Sequence, residues 1–77
     1  APLRTRLKET EAEIARLEAR VRDLTDRMAN PDLYKDGDQA REVARERKDL
    51  EEQLGSLYGK WEELAVRLDR AMAETSA

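Results

Sequence analysis

The sequence predicts an all-α fold: a two-helix antiparallel coiled-coil hairpin with a short, turn-rich connection. Three observations carry this. Apolar residues recur at heptad spacing along two long stretches, and one Asn-Pro break separates the stretches. Ala, Glu, Lys, Leu and Arg dominate the rest, as they do in long helices. High charge with few aromatics also suits a disordered chain, but a disordered tail has no reason to hold a heptad phase.

In the first stretch Leu3, Leu7, Ile14, Leu17, Val21, Leu24 and Met28, with Thr10 filling one slot, follow one another at alternating steps of four and three. Leu7, Ile14, Val21 and Met28 occupy position a; Leu3, Thr10, Leu17 and Leu24 occupy d. The helix is expected over about residues 2–29. Pro2 suits a first helical position, where its missing N–H is harmless. Pro31 disfavours α backbone for Asn30 and stops the helix there or at Ala29.

Residues 30–38 form the connection. Asn30 can cap a single turn begun by Pro31, with Leu33 and Tyr34 folding back as a small plug over the end of the seam. Asp36-Gly37 is a turn signal, and Asp38 is the expected N-cap of the second helix.

The second helix is expected over about residues 39–74, with a frayed tail. Arg47, Leu54, Trp61 and Leu68 take position a; Val43, Leu50, Leu57, Leu64 and Ala71 take d. Ala44, Tyr58, Ala65 and Met72 at e widen the stripe, and position a sends Trp61 to the core. Gly55 and Gly59 lie on the outer face, where each costs roughly 1 kcal/mol relative to Ala and suggests a bend. Pairing residues whose numbers sum to 71 sets Thr10, the small polar slot, against Trp61, the largest side chain. The same register brings Glu13 near Lys60 and Arg27 near Glu46.

Composition excludes much. The chain has 77 residues, 43% of them charged, with neither Cys nor His. A chain this short and polar cannot enclose a substrate pocket in a conventional core, and no Cys/His metal site can exist. The usual nucleophile–base arrangements are likewise unavailable, so the chain is expected not to be an enzyme. Gly55…Gly59-Lys60 resembles a phosphate loop only superficially: it lacks a spacer residue and the following Ser/Thr, and it lies inside a helix. No apolar run approaches the ~18 residues of a membrane span. Absence of Cys fits a reducing compartment. An N-terminal Ala without a Met suggests a fragment.

Charge distribution is more informative. Residues 20–48 carry eight basic and seven acidic groups, whereas the remainder carries seven basic and eleven acidic, so the loop end is the less acidic end. Arg16, Arg20 and Arg27 climb the first helix; Arg41, Arg45 and Lys48 share the outer face of the second. Such a set can contact phosphates, although solvated i,i+4 pairing explains the same charges without a ligand.

The order of features resembles a known family. A heptad helix leads into Asn-Pro-Asp-Leu-Tyr at 30–34, then Gly-Asp, then a second helix bearing Leu-Tyr-Gly-Lys-Trp-Glu-Glu-Leu at 57–64. This is similar to the C-terminal coiled-coil domain of ABC-F proteins, soluble tandem ATP-binding cassette ATPases, particularly the Uup-like branch. Pro31, Leu33, Tyr34 and Trp61 match the hairpin motif of that family. The resemblance implies that residues 1–77 are such a domain, with no cofactor of their own. ATP and Mg would belong to cassettes earlier in the same chain. It further implies a DNA or RNA partner, with the ribosome a further possibility, and a cytoplasmic setting. The heptad–Asn-Pro–heptad plan also resembles the C-terminal arm of valyl-tRNA synthetases, which contacts tRNA, though Tyr34 and the Tyr58…Trp61 pair fit that arm less well. Against both stands a structural spacer or protein-interaction arm. The isolated hairpin is expected to be a monomer, because each seam consumes the other.

Overall fold

A computed structural model describes residues 2–76, and the side chains of 2–75. Helix α1 spans Leu3–Met28, a 3₁₀ turn spans Pro31–Lys35, and helix α2 spans Gly37–Ser76. There is no strand among the described residues. The molecule measures 63 × 18 × 14 Å. At about 1.5 Å per residue, α2 alone runs the whole length. The two helices pack along each other as an antiparallel hairpin, with the 3₁₀ turn folded against both.

All eight seam positions of α1 are shielded: Thr10, Ile14, Leu17 and Leu24 are buried, and Leu3, Leu7, Val21 and Met28 half-buried. From α2, Leu50, Leu54 and Leu64 are buried, with Val43, Arg47, Leu57 and Leu68 half-buried. The continuous core is Ile14, Leu17, Leu24, Leu50 and Leu54, flanked by Val21, Val43 and Leu57. Leu24 is the most enclosed side chain, 1% exposed. Thr10 is the one buried polar residue of the described set; its hydroxyl donates to the Arg6 carbonyl at 2.9 Å, so it needs nothing from the opposite helix.

The heptad stripes are thus occupied as the spacing predicts, with exceptions at the wider positions. Trp61 does not enter the core. It is 36% exposed and leans across the seam to donate its Nε1–H to Glu11 Oε1 at 3.0 Å. A two-helix interface is only one layer deep, and an indole placed inside it would leave its N–H unpaired, so the rim is the better site. Ala71 is exposed at d, and of the e residues only Ala65 is half-buried; Ala44, Tyr58 and Met72 face water. Gly55 and Gly59 do not interrupt α2, which is one continuous helix through both.

The connection is tighter than expected. Pro2 is the N-cap of α1, one residue outside it, and Ala29 its C-cap. Asn30 caps the 3₁₀ turn by accepting from the Asp32 N–H at 3.0 Å. Leu33 is half-buried, as a plug requires, but Tyr34 is exposed and works differently: its hydroxyl donates to the Met28 carbonyl at 2.8 Å. That satisfies one of the orphan acceptors at the end of α1. The second helix is capped by Asp36 rather than Asp38. Asp36 Oδ1 accepts from the N–H groups of Asp38 and Gln39 at 3.1 and 3.3 Å, and its carbonyl accepts from Ala40 at 3.1 Å. Gly37 therefore opens α2, two residues earlier than expected, and the helix continues to Ser76 instead of fraying after Glu74. Ala77 lies outside the described residues.

Candidate nucleic-acid interface

Burying a and d against each other leaves two flanks along the hairpin. One is edged by position g of both helices, the other by position e. The polar contacts across the hairpin follow this division. On the g flank Arg20 Nε donates to Glu46 Oε2 at 2.9 Å. On the e flank the Tyr58 hydroxyl donates to Glu18. The anticipated Arg27–Glu46 neighbourhood is replaced by Arg20–Glu46, while Arg27 turns back to Asp23 at 3.5 Å. Glu13 and Lys60 do line one shallow hollow on the g flank, together with Thr10 and Leu57.

The six basic residues picked out from the sequence do not form one patch. Arg20 and Arg27 edge the g flank, and Arg16 lies beside them on the outer side of α1. All three are in ion pairs: Arg16 with Glu13 at 2.9 Å, Arg20 with Asp23 at 3.0 Å and with Glu46, Arg27 with Asp23. Arg41, Arg45 and Lys48 lie on the opposite outer side, at i, i+4 and i+7 of α2. Arg41 is paired with Asp38 at 2.6 Å. Arg45 and Lys48 are exposed, and neither has an acidic partner among the described residues.

Arg22 belongs with this second group. It is exposed on α1, has no acidic partner among the described residues, and sits at position b like Lys48; the register expected from the sequence sets the two at nearly the same level along the hairpin. It can be picked out from the sequence only once the e and g sides are told apart.

The mouth of the tip is mixed in sign. An open hollow of about 420 Å³ is lined by Arg27, Asn30, Asp32, Leu33, Gln39, Glu42 and Val43. Two carboxylates against one guanidinium do not make an anion site. Among the described residues no group of three His, Cys, Asp or Glu side chains can hold a metal ion, and no helix is long and apolar enough to cross a membrane.

The model of the ABC transporter C-terminal domain family matches residues 3–65, nearly the whole hairpin. The chain belongs to that family. The match begins with α1, takes in the Asn30-capped 3₁₀ turn and ends beyond Trp61, covering the motifs quoted above. No curated protein matches the chain, and no solved structure does. What membership adds to the geometry is context: a helical hairpin that is the C-terminal domain of an ABC-family protein.

Proposed function

We propose that this C-terminal domain is a non-catalytic nucleic-acid-contacting arm of a soluble, cytoplasmic ABC-F-type ATPase. ATP and Mg are handled by cassettes of the same chain, and the hairpin engages the phosphate backbone, of DNA in the first instance. The observation that carries the reading is the run Arg41, Arg45 and Lys48 on one outer stripe of α2, two of them without a carboxylate partner among the described residues. Arg4, Arg6, Lys8, Lys60 and Arg70 also lack a carboxylate partner among the described residues, but they lie in the more acidic part of the hairpin; unneutralised cations toward the less acidic loop end are the groups a polyanion can reach at least cost. Arg16, Arg20 and Arg27 are secondary, because their carboxylate partners must first be given up. Exposed pairs of that kind are worth only about 0–1 kcal/mol, so they can still rearrange toward phosphate. The hydroxyl of Tyr34, the aromatic residue at the tip, is committed to the Met28 carbonyl, and stacking on its ring would not distinguish bases, so binding is sequence-independent.

Three to four phosphate contacts give a salt slope of roughly −3 in log K against log salt for duplex DNA. Titration of labelled duplex DNA, single-stranded DNA and RNA at two salt concentrations tests this. Arg45→Glu with Lys48→Glu should weaken binding and flatten the slope by about 2, whereas Arg16→Glu should have a smaller effect. An affinity unmoved by the Arg45/Lys48 reversal would eliminate the reading, and preference for RNA over DNA would redirect it to a ribosomal or tRNA substrate. Sedimentation of the free hairpin should give a monomer.

A further inference from the structure

Mid-shaft on the e flank, Tyr58 and Trp61 stand half-exposed one turn apart. Each ring is tethered across the groove at its polar tip, Tyr58 to Glu18 and Trp61 to Glu11. Glu11 and Glu18 are two turns apart on α1, and the residue between them on this flank is Ala15. The two tethers, the rings and the small Ala15 enclose an open hollow of about 350 Å³ floored by Ile14. That is the low end of the roughly 300–1,000 Å³ range of ligand pockets, ample for the end of an arginine side chain.

We propose that this hollow docks an arginine side chain of a protein partner. Two ring faces and two carboxylates define the chemistry. A planar guanidinium stacks flat on an aromatic face while its forked N–H donors reach carboxylate oxygens; an ammonium, a strongly hydrated point charge with no plane to stack, does this less well. Polyanions are excluded, since phosphates would meet Glu11 and Glu18. A second copy paired two-fold about this hollow would set these carboxylates against each other, so like charge opposes it. The tethers already hold both rings in place, so little side-chain freedom is lost on docking. The inference does not depend on nucleic-acid binding at the tip, which lies on other residues.

The sole tryptophan of the chain is in this hollow and reports its occupancy directly. Titrating the 77-residue chain with a deca-arginine peptide should change Trp61 emission saturably, and deca-lysine should bind several-fold more weakly. Glu11→Gln with Glu18→Gln keeps the hydrogen-bond acceptors while removing the charge; it should lower the affinity roughly tenfold or more. Ala15→Leu should do the same by filling the hollow, with helicity by circular dichroism unchanged. Arg45→Glu with Lys48→Glu should not weaken it. Equal binding of the arginine and lysine peptides, indifference to Ala15→Leu, or a Trp61 emission that does not respond would each overturn the proposal. So would sedimentation showing that a second copy already covers the flank.

Discussion

Arg47 occupies a seam position between the apolar Val43 and Leu50, and its replacement should stabilise the hairpin. Its Nε is buried and makes no hydrogen bond. Glu51 Oε1 lies 3.3 Å away, close enough for an ion pair but out of line for a hydrogen bond. One terminal nitrogen reaches only the Met28 sulfur, at 3.9 Å. A buried donor left unpaired costs roughly 1–3 kcal/mol. Against this, the exposed i,i+4 pair with Glu51 contributes about 0.3–0.5 kcal/mol. The aliphatic stem sits half-buried in the seam and must be kept, so methionine, unbranched and of similar reach, is the apt replacement. Arg47→Met should gain about 1–2 kcal/mol, or a rise in melting temperature of about 4–8 °C per kcal/mol for a domain of this size. Arg47→Lys separates the two causes, because lysine keeps the charge and places a methylene where Nε sat; it should recover part of the gain. Thermal and urea melts followed by circular dichroism measure both. A melting midpoint unchanged or lowered in both variants would show that the unpaired nitrogen carries no penalty and would refute the reasoning.

Three further expectations follow from the same packing. Leu24→Ala removes the most enclosed side chain and should destabilise the hairpin by about 2–5 kcal/mol, enough in so small a domain for circular dichroism to show extensive loss of helix at ambient temperature. A Cβ built on Gly55 or Gly59 meets nothing within 4 Å, so Gly55→Ala and Gly59→Ala should each raise stability by about 1 kcal/mol, measured as a shift of the urea midpoint. The Tyr58 phenol is raised above its ordinary value of 10.0, first by its hydrogen bond to Glu18, then by desolvation and by the carboxylate charge. An acid whose pKa is higher when folded lends stability that is complete below the unfolded value and is lost as pH rises through the folded one. Tyrosinate absorbance in a Tyr34→Phe background should therefore appear later than in a free tyrosine, and Glu18→Gln should bring it earlier.

Much of this architecture was legible as spacing. The alternation of four and three from Leu3 to Met28 sets which face of α1 is shielded, and all eight positions are. Pro31 with Asn30 marks the end of the first helix because both act locally, Pro31 through its ring and Asn30 through its side-chain Oδ1, within a residue or two. Side chains with a choice of partners were less legible. Asp36 and Asp38 are equally good caps on paper; the 3₁₀ turn reaches its last residue at Lys35, and that places Asp36 at the entry to α2. Trp61 has a seam position by count but finds a carboxylate for its N–H only across the groove, at Glu11. The basic residues were countable, but their separation onto two flanks was not visible from one helix at a time.

The sequence by itself determined that the chain makes two long amphipathic helices, where the first ends, and the motifs that place it in its family, because each is a matter of local propensity and period. Only the tertiary structure decided which cations keep their charge unneutralised, which aromatics stay at the rim, and that a hollow opens between Glu11 and Glu18. Those depend on the phase of one helix against the other. A heptad fixes which residues face inward but not which carboxylate a side chain on the edge will meet.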